Sequence, residues 1–232
     1  MKNRGIYIVL EGIDGSGKST LANRLNEYLV ERHPKNNIIT TYHPGSTALG
    51  NHLRKLVKNP AQFDRNIKID NLSRQLLHFV DTIAFNKTIL EPELNRGSIV
   101  IADRSTYISS IIYGKATGLT VNDISKLFMV YPPRKADLVF VFDCPWRTAK
   151  ERMIGRDQED FYDNQKDDFF DSISTAYKTL TTSSLEQSVL INQIVSLNNL
   201  KTIDANRDAD VIFNEMIPSI ERVIANMGVE ND

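Results

Sequence analysis

The sequence predicts an α/β fold built on a parallel sheet with helices on both faces. Three observations lead there. Short β-branched or aromatic runs alternate with stretches of helical periodicity, the pattern a succession of β-α-β units writes. No internal repeat or low-complexity linker interrupts them. A glycine-rich segment lies between the first strand and the first helix, where open α/β sheets gather their ligands.

The elements follow in order. Residues 6–10 (Ile-Tyr-Ile-Val-Leu) are the first strand, and residues 11–20, EGIDGSGKST, leave it. Leu21, Leu25 and Leu29, four apart, mark a helix. Residues 38–42 are the second strand, and the turn segment Pro44-Gly45-Ser46-Thr47 introduces a helix carrying Arg54. Leu72, Leu76, Phe79, Ile83, Leu90 and Leu94 hold helix spacing over 72–94. Pro92 is expected to bend or stop that helix. Residues 99–102 form a strand that ends in Asp103-Arg104, and 122–131 a helix that stops before Pro132-Pro133. A strand over 138–142 and a helix over 146–154 lead into 155–167, dense in charge and poor in apolar residues. A helix over 168–195, a weaker strand at 201–203 and an amphipathic helix over 208–227 complete the pattern.

Composition bounds the function. With 28 basic and 29 acidic residues the net charge is −1, so there is no global pull towards nucleic acid or an anionic membrane. The apolar N-terminal stretch is too short for a signal peptide and no segment approaches a membrane span. Cys144 is the single cysteine. It cannot form an internal disulfide, which favours a reducing, cytoplasmic setting. His33, His52 and His78 have no metal-ligand spacing. At 232 residues the chain is expected to be one domain, 1–232.

Gly12, Gly17, Lys18 and Ser19 fit G-x-x-x-x-G-K-[ST] between a strand and a helix. Such a loop aims backbone N–H groups at a phosphate, adds the positive end of the new helix, and sends its lysine to the β/γ-phosphates. The Ser19 hydroxyl suits Mg²⁺. Nucleoside triphosphate binding is the expectation. Asp103 and Arg104, at the end of a neighbouring strand, would hold Mg²⁺ through water and clamp a second phosphate in a planar fork.

Taken together, the segments EGIDGSGKST (11–20), HPGSTALGNHLR (43–54), LLHFVDT (76–82), DRSTYISSIIYG (103–114), DCPWRTAKERMIGRD (143–157) and DFYDNQKDDFF (160–170) resemble, in order and spacing, the motifs of the thymidylate kinase family of nucleoside monophosphate kinases. The resemblance implies transfer of the ATP γ-phosphoryl group to a deoxynucleoside 5′-monophosphate with Mg²⁺. It also implies a P-loop fold with a five-stranded parallel sheet, a small helical lid near 152–167, and a homodimer. Carried over by position, Gly12, Gly15, Ser16, Gly17, Lys18, Ser19 and Thr20 would bind ATP, and Ser19 and Asp103 the metal. Asp14 would meet the acceptor sugar, and Arg54 and Arg104 its phosphate. Lys18, Asp103 and Arg104 would act in catalysis with Arg152 and Arg156, four apart on a helix entering the charged segment, which would add positive charge as a lid closes.

The departures cluster where a base is read. The family's base-bonding arginine falls at Thr82 and its stacking phenylalanine at His78, with Phe79 one position on as an alternative stacker. Ser109 falls at a base-contacting position, and Ile112 and Tyr113 replace a tyrosine and a glutamine. His43 stands for a glutamate and Phe161 for a lid arginine. A pocket without the arginine is expected to take dTMP and also dUMP. Three other classes are disfavoured. A deoxynucleoside kinase needs no second phosphate clamp. A GTPase needs N-K-x-D after a strand, whereas Asn86-Lys87 continues Thr-Ile inside a helix. A binding-only module has little need for Lys18, Ser19, Asp103 and Arg104 together.

Overall fold

β1 (Ile6–Gly12) is buried at every position, and a strand so apolar on both faces belongs at the centre of a covered sheet. The computed structural model, which describes residues 4–155, 165–182 and 185–226, places it there. Around it stand β2 (Ile38–Tyr42), β3 (Ile99–Asp103), β4 (Leu138–Asp143) and β5 (Leu200–Asp204) in the order β2-β3-β1-β4-β5. Every adjacent pair is parallel. Register sets the site: Leu10 pairs with Asp103, and Asp103 with Tyr42. The carboxyl ends of β2, β3 and β1 therefore finish along one edge.

α1 (Lys18–Arg32) lays Leu21, Ala22, Leu25 and Leu29 against the sheet. α2 (Ala48–Lys58) starts at Thr47, whose hydroxyl accepts from the Gly50 N–H at 2.8 Å. α3 (Asn71–Phe85) runs through a wide π turn at Asn86–Leu90 into α4 (Glu91–Arg96). Pro92 therefore does not stop the segment, which stays helical to Arg96. The turn before it is already loosened to i→i−5 bonding, with Glu91 N–H on Asn86 O, so the missing proline donor costs little. α5 (Thr106–Ala116) follows β3, and α6 (Val121–Val130) opens with the reciprocal Thr120–Asp123 capping pair.

The helix expected over 168–195 is two helices, α8 (Asp167–Lys178) and α9 (Leu185–Ile194), after α7 (Trp146–Met153). A short 3₁₀ turn, Leu180–Thr182, follows α8 in a run of threonines and serines whose side chains favour turns over helix. The chain ends on α10 (Ala209–Asn226). Residues 156–164 lie outside the described residues, and with them Arg156, Phe161 and most of the expected lid. One buried apolar cluster joins all five strands to the helices on both faces. Among the described residues no helix is long and apolar enough to cross a membrane.

Candidate active site

A cleft of about 570 Å³ opens at the carboxyl edge of the sheet. Its floor is the glycine loop between β1 and α1. Gly15 sits at φ +82°, and a Cβ there would lie 2.3 Å from the Ala149 carbonyl oxygen of α7. The loop is pressed so closely against that helix that only glycine fits. No side chain caps α1 and no acidic residue occupies its first turn. The N–H groups at that end are thus left for an anion. Gly15, Gly17, Lys18, Ser19 and Thr20 line the cleft, while Gly12 and Ser16 shape the loop beneath.

Lys18 is only 4% exposed. Its ammonium curls over the loop and donates to the Ile13 carbonyl at 2.8 Å and the Ser16 hydroxyl at 3.4 Å. Desolvation, and then the Arg104 charge, push its pKa down from 10.5 to about 8. Beside it the Ser19 hydroxyl donates to the Asp103 carboxylate. Two hard oxygen donors meeting at the loop fit a Mg²⁺ ion whose remaining positions are filled by water and phosphate.

Arg104, the first residue beyond β3, is the only non-glycine at positive φ among the described residues (+78°). Such a backbone costs on the order of 1–2 kcal/mol and survives where its surroundings over-determine it. Here they do. The Arg104 N–H donates to Leu10 O at 2.8 Å, and the guanidinium donates to the Tyr177 hydroxyl at 2.9 Å and to Asp14 Oδ1 at 2.6 Å. Tyr177 in turn donates to Glu11 Oε2 at 3.0 Å, and Ser105 N–H to Glu11 Oε1 at 2.6 Å. Burial raises the Glu11 pKa to about 7 despite Arg104 nearby. Desolvation also opposes ionisation of Asp14, whose side chain is 70% exposed. The Arg104 and Lys18 charges outweigh it and hold that carboxyl well below its ordinary range.

The opposite wall begins at the end of β2. Arg54 of α2 reaches back and donates to Pro44 O at 2.7 Å, its stem lying over Gly45. Gly45 N–H donates to the buried Asp81 of α3 at 2.9 Å, and His43 Nδ1 lies 3.5 Å from the same oxygen. Arg54, Arg104, Asp14 and Asp103 all face the cleft. So do His78 from α3 and Ser109 and Tyr113 from α5, the Tyr113 ring 5.6 Å from the Arg104 guanidinium. Desolvation, with the Arg74, His43 and Arg54 charges, lowers the His78 pKa to about 4 although Asp81 pulls it up. His78 is neutral at pH 7.

Three expected site residues stand elsewhere. Phe79 is turned into the core, its ring edge-on to Tyr107 at 5.6 Å and beside Phe128 at 6.1 Å. One helical position, 100° of rotation, separates it from His78 and the cleft. Thr82 is 2% exposed and donates to the His78 carbonyl at 2.9 Å. It lies a full turn beyond His78, about 6 Å along the axis, and its short side chain does not reach the cleft. Arg152 is exposed at the end of α7 and approaches Cys144 Sγ at 3.9 Å rather than lining the cleft.

Several residues of the site escape a reading of the sequence. Glu11 carries a faint signal, a carboxylate ending an apolar strand. Tyr177, 166 residues away in the chain, carries none. Gln75 and Ser110, which also line the cleft, and Asp81, which anchors the Gly45 turn, are likewise visible only once α3 and α5 are packed. Three cationic side chains, Lys18 and Arg104 beside the loop and Arg54 from α2, thus line one cleft together with the oxygen donors Ser19 and Asp103.

Comparison with known proteins agrees with this geometry. The thymidylate kinase family model matches residues 10–207. The chain is 34% identical over 180 residues to a thymidylate kinase of Caldicellulosiruptor saccharolyticus, covering 77% of this chain and 84% of that one. It is 31% identical to a thymidylate kinase of Legionella pneumophila, covering 95% and 96%. The crystal structure of thymidylate kinase from Ehrlichia chaffeensis superposes with a TM-score of 0.63 at 25% identity, over 94% of this chain and 99% of that one.

Proposed function

Since the chain belongs to the thymidylate kinase family, a nucleoside monophosphate kinase that phosphorylates dTMP with ATP, we propose the following division of labour among its residues. The loop amides from Gly12 to Thr20 and the Lys18 ammonium hold the β- and γ-phosphates of ATP. Arg54 and Arg104 grip the phosphate of the monophosphate and bring it in line with the γ-phosphoryl group. Asp14, fixed as a carboxylate by Arg104, accepts from the 3′-hydroxyl of the acceptor sugar. Ser19 and Asp103 would hold Mg²⁺, which would supply charge neutralisation at the ATP phosphates. Phosphoryl transfer needs positioning and charge compensation more than covalent chemistry, and the three cations of the cleft supply both. Arg152, which approaches Cys144 Sγ, and Arg156, which lies outside the described residues, are given no part in this division.

The observation that supports this division is that Arg54 and Arg104, besides Lys18, line the same cleft. A kinase acting on unphosphorylated deoxynucleosides has no use for the two arginines. An ADP-release screen with Mg-ATP across nucleoside and deoxynucleoside monophosphates, with deoxynucleosides as controls, tests the division. Turnover is expected with dTMP and with dUMP, little with purine monophosphates, and none with thymidine. Turnover of thymidine in preference to dTMP would refute the second clamp.

We read residues 1–232 as one catalytic unit and the protein as a cytoplasmic homodimer. A stripe of Leu72, Leu76 and Val80 on α3, 43–47% exposed, supports the dimer. The single buried thiol of Cys144 is consistent with a reducing compartment.

A further inference from the structure

The family's arginine at the base is replaced here by Thr82, which does not reach the cleft. Building on the function proposed above, we propose that Gln75 reads the 4-position of the acceptor base and that Ser110 fixes the direction in which it reads. Gln75 and Ser110 face each other from α3 and α5, 3% and 1% exposed, and both line the cleft. The Ser110 hydroxyl donates to Gln75 Oε1 at 3.0 Å. A carboxamide has one oxygen acceptor and two N–H donors. With the oxygen engaged by Ser110, the Nε2 end is what Gln75 offers to a ligand. Nε2 lies 3.6 Å from where a Gly114 side chain would begin, an ordinary contact distance, so the amide rests against α5 at the edge of the cleft.

A fixed N–H donor suits the O4 oxygen of thymine or uracil. It opposes the 4-amino group of cytosine, donor against donor, and leaves both without an acceptor. One position before Ser110 on α5 the Ser109 hydroxyl is buried without a hydrogen-bond partner. A hydroxyl both donates and accepts, so Ser109 meets either form of the base at N3 and does not discriminate. Neutral His78 adds a flat, uncharged wall. Selection therefore falls on oxygen against amine at C4, not on methyl against hydrogen at C5. The pocket accepts dTMP and dUMP alike and rejects dCMP. Ser110 is a positioning residue; Gln75 is the contact.

The test is the ratio of kcat/KM for dTMP to that for dCMP, with dUMP alongside and the KM for ATP as internal reference. In the unmodified enzyme the ratio is expected to be ~10² or more. Ser110→Ala frees the amide to turn over and should lower the ratio ~10-fold, while Ser110→Thr, which keeps the hydroxyl, restores it. Gln75→Glu replaces the donor with an acceptor and should move the ratio ~10²-fold towards dCMP. Gln75→Met, of similar size with no donor, should bring dTMP and dCMP within a few-fold should the carboxylate variant fail to fold. A ratio unmoved by Ser110→Ala and Gln75→Met, or equal losses on all three acceptors, would overturn the proposal. So would an unmodified enzyme that uses dCMP as well as dTMP, which leaves the kinase assignment intact. Absence of turnover with every pyrimidine monophosphate would instead refute the proposed function, and this inference with it.

Discussion

Lys18 illustrates how a binding group can weaken the fold that carries it. The side chain is 4% exposed and reaches only the Ile13 carbonyl and the Ser16 hydroxyl, with Arg104 as a like-charged neighbour. A pKa lowered from 10.5 to about 8 corresponds to about 3 kcal/mol against the charged form at neutral pH. Lys18→Met keeps the stem and removes the charge. It also leaves the Ile13 carbonyl without that donor, a loss of about 1 kcal/mol. The ligand-free variant should thus be more stable at pH 7 by about 1–2 kcal/mol, or roughly 3–6 °C in Tm. Its kcat should fall ~10²–10³-fold, because the charge is absent where the transferring phosphoryl group needs it. The sign of the pH effect follows from linkage. A lysine whose folded pKa lies below its unfolded value contributes stability that is complete above about 10.5 and is lost as the pH falls through about 8. The stability difference between the variant and the parent should therefore shrink by up to ~1.4 kcal/mol for each pH unit above 8. Urea denaturation at pH 7 and 9.5 with an ADP-release assay measures both. A variant destabilised by more than 1 kcal/mol at pH 7, or active within tenfold of the parent, would refute the reasoning.

Two further perturbations probe the cleft. Arg54→Ala and Arg104→Ala should each lower kcat/KM for dTMP by ~10²-fold or more, from a charge-assisted contact worth roughly 1.5–3 kcal/mol plus its transition-state share, with the KM for ATP little changed. Equal losses for both substrates in steady-state kinetics would instead make these arginines supports of the whole site. Thr82→Arg should not restore base recognition. It forces a guanidinium into a site 2% exposed and should cost ~2–4 kcal/mol of stability by urea denaturation, without raising dTMP over dUMP.

The glycine loop, its lysine and the strand-helix succession could be read directly from the residues, because each rests on local chemistry. Glycines with a following lysine make a phosphate loop wherever a strand feeds a helix, and period-2 against period-3.6 patterns distinguish the elements they write. Asp103 and Arg104 were legible for the same reason: a strand end in a parallel sheet opens on the ligand edge. Tertiary packing decided the rest. Phe79 and His78 differ by one position, and the rotation of α3 against α5 and α6 sends Phe79 to Tyr107 and Phe128 and His78 to the cleft. Thr82 matched a motif by number, but it lies a turn beyond His78, bonds the His78 carbonyl and does not line the cleft. Glu11, Tyr177 and Arg104 form one buried network only because α8 lies beside the end of β1. Gln75 and Ser110 meet only because α3 packs on α5. Spacing along a chain fixes which residues share a face, whereas the docking of one helix on another fixes what that face confronts, and a base is read by what confronts it.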